Sequence, residues 1–93
     1  MNVIDYGEAG ISLSCSVILK LYDVDSKYVR FSLNKDSTLS YQIVEPEHIE
    51  TNDYVIRLDS STHLVISSQV YSKVLNTSID VREGLKGTEL YIK

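Results

Sequence analysis

The chain is poor in the residues that usually mark chemistry or export. It holds one cysteine, Cys15, so no disulfide can form within it and a reducing compartment is expected. There is no tryptophan, one alanine (Ala9), one proline (Pro46) and four glycines. Gly7 and Gly10 precede an apolar alternation, and Gly84 and Gly87 bracket a turn. Neither pair opens a helix, as a phosphate-cradling loop must. Thirteen serines are present, but none stands in a Gly-x-Ser-x-Gly setting. Cys15 sits on an apolar alternation, where cysteine is usually an inert small hydrophobe. No nucleophile is paired with a base, so the expectation is a protein that is not an enzyme and needs no cofactor.

Basic residues are also sparse. The nine Lys and Arg are scattered along a chain of formal net charge -4 and pI about 5.0. Without a block of them to follow a phosphate backbone, the composition argues against nucleic acid as partner, although folding can still gather a local patch. Apolar runs fall far short of a bilayer span, which argues against a membrane. The opening MNVIDYGEAG has two acids and no base before Lys20, unlike a signal peptide. A single domain over 1–93, in the cytoplasm, is the expectation.

What the chain does have is β-formers. Val, Ile, Thr, Tyr and Phe supply 32 of its 93 residues, seven of them tyrosine. In ISLSCSVILKLY, positions 11–22, apolar residues occupy every odd place, a period of two that predicts a long strand. Similar alternation predicts strands near 28–33, 39–44, 54–58, 63–66 and 88–93, with a turn at 23–27 making the first two a hairpin and the third extending it to a meander. The spacing of Val70, Tyr71, Val74 and Leu75 predicts one short helix near 68–75, with Ser67 or Ser68 as its cap. Residues 79–86 read as strand and turn, with a helix as the rival.

The expected fold is thus mostly β, bordering on α+β. It is a small antiparallel sheet, sandwich or partly open barrel of about six strands with one helix. Its expected core is Leu13, Cys15, Val17, Leu19, Phe31, Tyr41, Ile43, Ile56, Val70, Val74, Leu90 and Ile92.

LVISSQVYSKVL followed by EGLKGTELYIK resembles the strand–helix–strand half of the swapped-hairpin transcription factors and antidotes of the AbrB and MazE type. Ser67 stands where that family has proline, and the spacing from Leu75 to Gly84 is longer. The pattern covers the last third and is generic, so membership is not inferred and no binding residue is carried over.

Two residue groups are worth following into the structure. Glu47, His48 and Glu50, or His48 with His63 from a neighbouring strand, have metal-ligand chemistry, but a solvated acidic loop around Pro46 explains the same residues. Ser12, Ser14 and Ser16 form the small, uncharged face of the first expected strand, and Tyr22, Tyr28 and Arg30 lie outward on the same expected hairpin. Without charge or proline to prevent pairing, and with interface-prone aromatics, these six are the candidate interface. A hairpin that is merely wet on that face explains them as well.

The functional expectation is a protein-interaction module. It would be an acidic inhibitor or antagonist of the kind viruses and mobile elements make, docking on a protein partner or on itself as a homodimer. The alternative is a small dimeric nucleic-acid- or ligand-binding regulator using Arg30, Arg57 and Arg82.

Overall fold

In the computed structural model, which describes residues 2–23, 28–85 and 87–93, the period-two stretch at 11–22 is not one strand. Only Ser12–Leu13 is strand (β2, after β1 at Asn2–Asp5), and Cys15–Asp23 is an α-helix, α1. Ser14 is the switch. Its N–H donates to the Ile79 carbonyl at 3.0 Å, closing the strand pairing. Its carbonyl accepts the Ile18 N–H at 3.1 Å, and its Oγ accepts the Val17 N–H at 3.3 Å, so it caps the helix.

Positions 13, 17 and 21 satisfy both a period of two and a period near four, which is why the alternation misleads. Ile18, an even position, is the discriminator: with Val17 and Leu21 it packs on the core, as one face of a helix requires. The other odd positions turn outward. Leu19 is 64% exposed and Cys15 is exposed, so both leave the expected core. Leu19→Ala is therefore expected to change stability by no more than about 0.5 kcal/mol in urea titration.

The remaining strands are β3 (Tyr28–Leu33), β4 (Thr38–Ile43), β5 (Tyr54–Arg57), β6 (His63–Ile66), β7 (Ser78–Gly84) and β8 (Gly87–Ile92), with a second helix α2 at Ser68–Val74. The expected spans near 28–33, 39–44, 54–58, 63–66 and 88–93 are present, as are the helix and the strand-and-turn reading of 79–86. The expected turn at 23–27 lies outside the described residues except for Asp23, which ends α1. Ser67 is the cap of α2, its Oγ accepting the Val70 N–H at 3.3 Å.

The eight strands form one sheet, β1-β5-β6-β3-β4-β8-β7-β2, curled into an open half-barrel with the helices in its concave face. The sheet is mixed rather than antiparallel: β1 with β5, β3 with β6 and β2 with β7 run parallel. The expected first hairpin and meander are replaced by this order; only β3–β4, β5–β6 and β7–β8 are hairpins. The fold is α+β with eight strands and two helices among the described residues, against the expected six and one.

The core fills the concave side with Val17 and Leu21 of α1, Val74 of α2, and Val29, Phe31, Leu39, Ile56, Leu64, Ile66, Ile79 and Leu90 of the sheet. Leu13 is buried, and Val70 and Ile92 pack against this core, as expected. Tyr41 and Ile43 lie on the expected face, opposite Phe31 and Val29, yet they are 40% and 57% exposed, beyond the point where the β4–β8 ladder ends. Tyr71 of α2 stacks on Tyr54 at 4.2 Å and donates its hydroxyl to the Ala9 carbonyl at 2.7 Å, fastening α2 to the N-terminal segment. Gly10 turns that segment into β2 at φ +74°, where a Cβ would come within 2.8 Å of Leu75. No helix among the described residues is long and apolar enough to cross a membrane.

Candidate functional site

The six candidate interface residues do not share one surface. Ser12 is exposed on β2, and Ser14 is spent on the helix cap. Tyr28 is on β3, its ring stacked on His63 at 4.9 Å. Arg30, also on β3, is only 19% exposed at its side chain and forms an ion pair with Asp53 at 2.7 Å.

That pair closes the convex side of the sheet. Val55, Val65 and Arg30 lie side by side across β5, β6 and β3, and both valines are buried. The connection between β4 and β5 reaches Arg30 in this row. It ends in Asp53, whose carboxylate accepts both Arg30 nitrogens and the Glu50 N–H at 2.9 Å. The Arg30 hydrogen bond holds the Asp53 carboxyl below its ordinary range; partial desolvation opposes this and the Glu50 N–H assists it. Arg30 is thus a structural anchor.

The same connection carries Glu47, His48 and Glu50, all exposed. No group of three or more His, Cys, Asp or Glu side chains that could hold a metal lies together among the described residues. His63 stands apart on β6, half-buried, its Nδ1 without a hydrogen-bond partner among the described residues. The three arginines of the regulator reading are on separate strands, and each faces a carboxylate: Arg30 with Asp53, Arg57 with Asp5, Arg82 with Glu89.

A cleft of about 1170 Å³ opens where the β3–β4 turn faces the β7–β8 hairpin. Arg82 and Glu89 neutralise one another in its wall, and Arg82 also lies over the Tyr91 ring at 4.6 Å. Its hydroxyls are already engaged: Thr38 donates to Asp36, and Ser40 exchanges hydrogen bonds with the Asn34 amide. The Thr38 hydrogen bonds hold the Asp36 carboxyl below its ordinary range, which makes it a weaker base. The cleft is open, and the base that one of its hydroxyls meets is the Asp36 carboxylate to which Thr38 donates.

Besides single exposed apolar side chains at Val3, Leu75 and Leu85, two groups of them stand together among the described residues. On α1, Cys15, Leu19 and Tyr22 recur at i, i+4 and i+7 on the outward side, with Ser16 beside them. Ser16 and Tyr22 are the two candidates that do lie on one exposed element. On β4, Tyr41 and Ile43 are open on the concave side. Sequence reasoning assigned Leu19, Tyr41 and Ile43 to the core; Ile18 was the signal that could have turned Leu19 outward.

No protein-family model and no curated protein matches the sequence. Solved structures that share the fold include the following two. A protein from Aquifex aeolicus, solved by NMR, superposes with a TM-score of 0.69 at 12% identity, over 100% of this chain and 94% of that one. IscA with its [2Fe-2S] cluster superposes with a TM-score of 0.57 at 11% identity, over 89% of this chain and 83% of that one. Such clusters are held by several Cys thiolates. This sequence offers Cys15 alone, exposed on α1, and no gathering of other donors among the described residues, so they do not fit a cluster. The likeness is one of fold alone.

Proposed function

We propose that this chain is a non-catalytic protein-binding module that docks on a larger partner through the outward face of α1, as an acidic antagonist would. The observation that carries the reading is the stripe of Leu19 and Tyr22, 64% and 46% exposed on a helix whose other side is locked into the core. A helix held rigid from behind loses little conformational freedom when a partner's apolar groove receives its front. The net charge of -4 suits a partner with a basic rim, and such association should slow as salt rises. The test is capture from the native host's lysate on immobilised wild-type chain and on a Leu19→Asp/Tyr22→Asp double variant. Both positions are exposed, so the variant should fold, and circular dichroism checks that. A protein retained by the wild type and lost from the variant is the expected result. Identical capture by both overturns the reading.

A further inference from the structure

The outer edge of β4 is an exposed surface apart from the outward face of α1. Asn34 donates to the Thr38 carbonyl at 2.8 Å and Val44 to the Tyr28 carbonyl at 3.2 Å. Antiparallel alternation between those points directs the N–H and C=O of Ser40 and Gln42 to β3, and those of Leu39, Tyr41 and Ile43 away from it. Leu39 is met by Leu90 of β8, and there the β4–β8 ladder stops. Tyr41 and Ile43 therefore have no strand partner on that side among the described residues. Residues 38–44 contain no charge and no proline, the usual protection of such an edge. The side chains of these two residues are also the exposed apolar ones at this end of the concave face.

We propose that this edge pairs with itself, β4 against β4 of a second copy, antiparallel about a twofold axis at Gln42. That register sets Tyr41 opposite Ile43 of the second copy, and Ile43 opposite its Tyr41. Both are hydrogen-bonded pairs, and both set an aromatic against a β-branched side chain on the same face. Charge selects a second copy over any other extended strand. Glu45 continues the extended backbone at φ -82° and ψ 148°, two residues beyond Ile43 and hence on the same face. Antiparallel pairing carries it toward Leu39 and Tyr41 of the first copy, where Lys20 of α1 lines the crotch between β4 and β8 together with Glu89, whose charge Arg82 answers. Neither Lys20 nor Glu45 has an ion pair within the chain among the described residues. A strand that answers Tyr41, Ile43 and Lys20 in order needs a branched apolar residue, an aromatic one and a carboxylate at the right spacing. Tyr41-Gln42-Ile43-Val44-Glu45 read backwards supplies them. The contact is isologous, so it closes at two copies.

The test is sedimentation equilibrium from micromolar to millimolar chain, with circular dichroism confirming that each variant is folded. Wild type should dimerise, and Ile43→Lys, at an exposed position, should weaken dimerisation about tenfold or more. Lys20→Glu and Glu45→Lys should each weaken it, and the double variant Lys20→Glu/Glu45→Lys should recover it. A wild-type monomer throughout the range, an Ile43→Lys variant that associates like wild type, or a double variant without recovery each overturns the proposal. The α1 variant Leu19→Asp/Tyr22→Asp should dimerise like wild type, which separates this surface from the one above.

Discussion

Asp53→Ala is expected to lower stability by about 3 kcal/mol, read from the urea midpoint at neutral pH. The carboxylate is 3% exposed, and its loss leaves the Arg30 guanidinium, 19% exposed, without its counter-charge beneath the β4–β5 connection. The Glu50 N–H also loses its acceptor. The cost comes mainly from the stranded cation, so Arg30→Met/Asp53→Leu should cost clearly less than Asp53→Ala alone. The pair has an acid signature too. The folded-state carboxyl is held below its ordinary value of 3.8, chiefly by Arg30. A depressed folded pKa gives stability that is complete above the unfolded value and disappears as pH falls through the folded one. Wild type should therefore lose stability below about pH 4. Asp53→Asn should lose less over the same interval, so the gap between the two narrows in acid.

The pair also shows why the convex side was harder to read than the concave one. Alternation reports which residues share a face of a strand but not what lies over it. Arg30 is outward on β3, and outward was read as wet or as interface. Its partner lies 23 residues on, after a loop whose proline and acids suggested solvent. A signal was present. Leu64, Val65 and Ile66 are apolar in succession, and Val55 and Ile56 adjoin, so both faces of β5 and β6 had to be covered. Something had to close over Val55 and Val65, and the β4–β5 connection brings Asp53 to Arg30 beside them.

The helix at Cys15–Asp23 is the other departure, with a local cause. β-Branched Val17 and Ile18 and the alternating serines favour a strand by composition. The outcome turns on Ser14 capping and on burial of Val17, Ile18 and Leu21 in the concave face, a tertiary gain that no window of the sequence contains. The candidate interface depended on that strand, so it dispersed with it. Ser16 and Tyr22 stayed together only because helix and strand alike can place them outside.

Phe31→Ala should cost about 3–5 kcal/mol, while Tyr41→Ala, at the cross-strand position on the same face, should cost under about 1 kcal/mol. Phe31 is 2% exposed and belongs to the core cluster; its ring is the largest fully buried side chain, and truncation leaves a cavity that a sheet pinned by β4 and β6 can close only in part. Tyr41 has the same face and the same ladder but stands 40% open, so its truncation removes little buried area and leaves no sealed void. Urea titration of both variants at low concentration, where self-association is absent, measures this difference. Equal losses would mean that the end of β4 is covered in the monomer, and the edge proposed for pairing would then not be free. A large loss at Phe31 with a small one at Tyr41 fits a half-barrel filled at its middle by α1 and α2 and left open where β4 parts from β8.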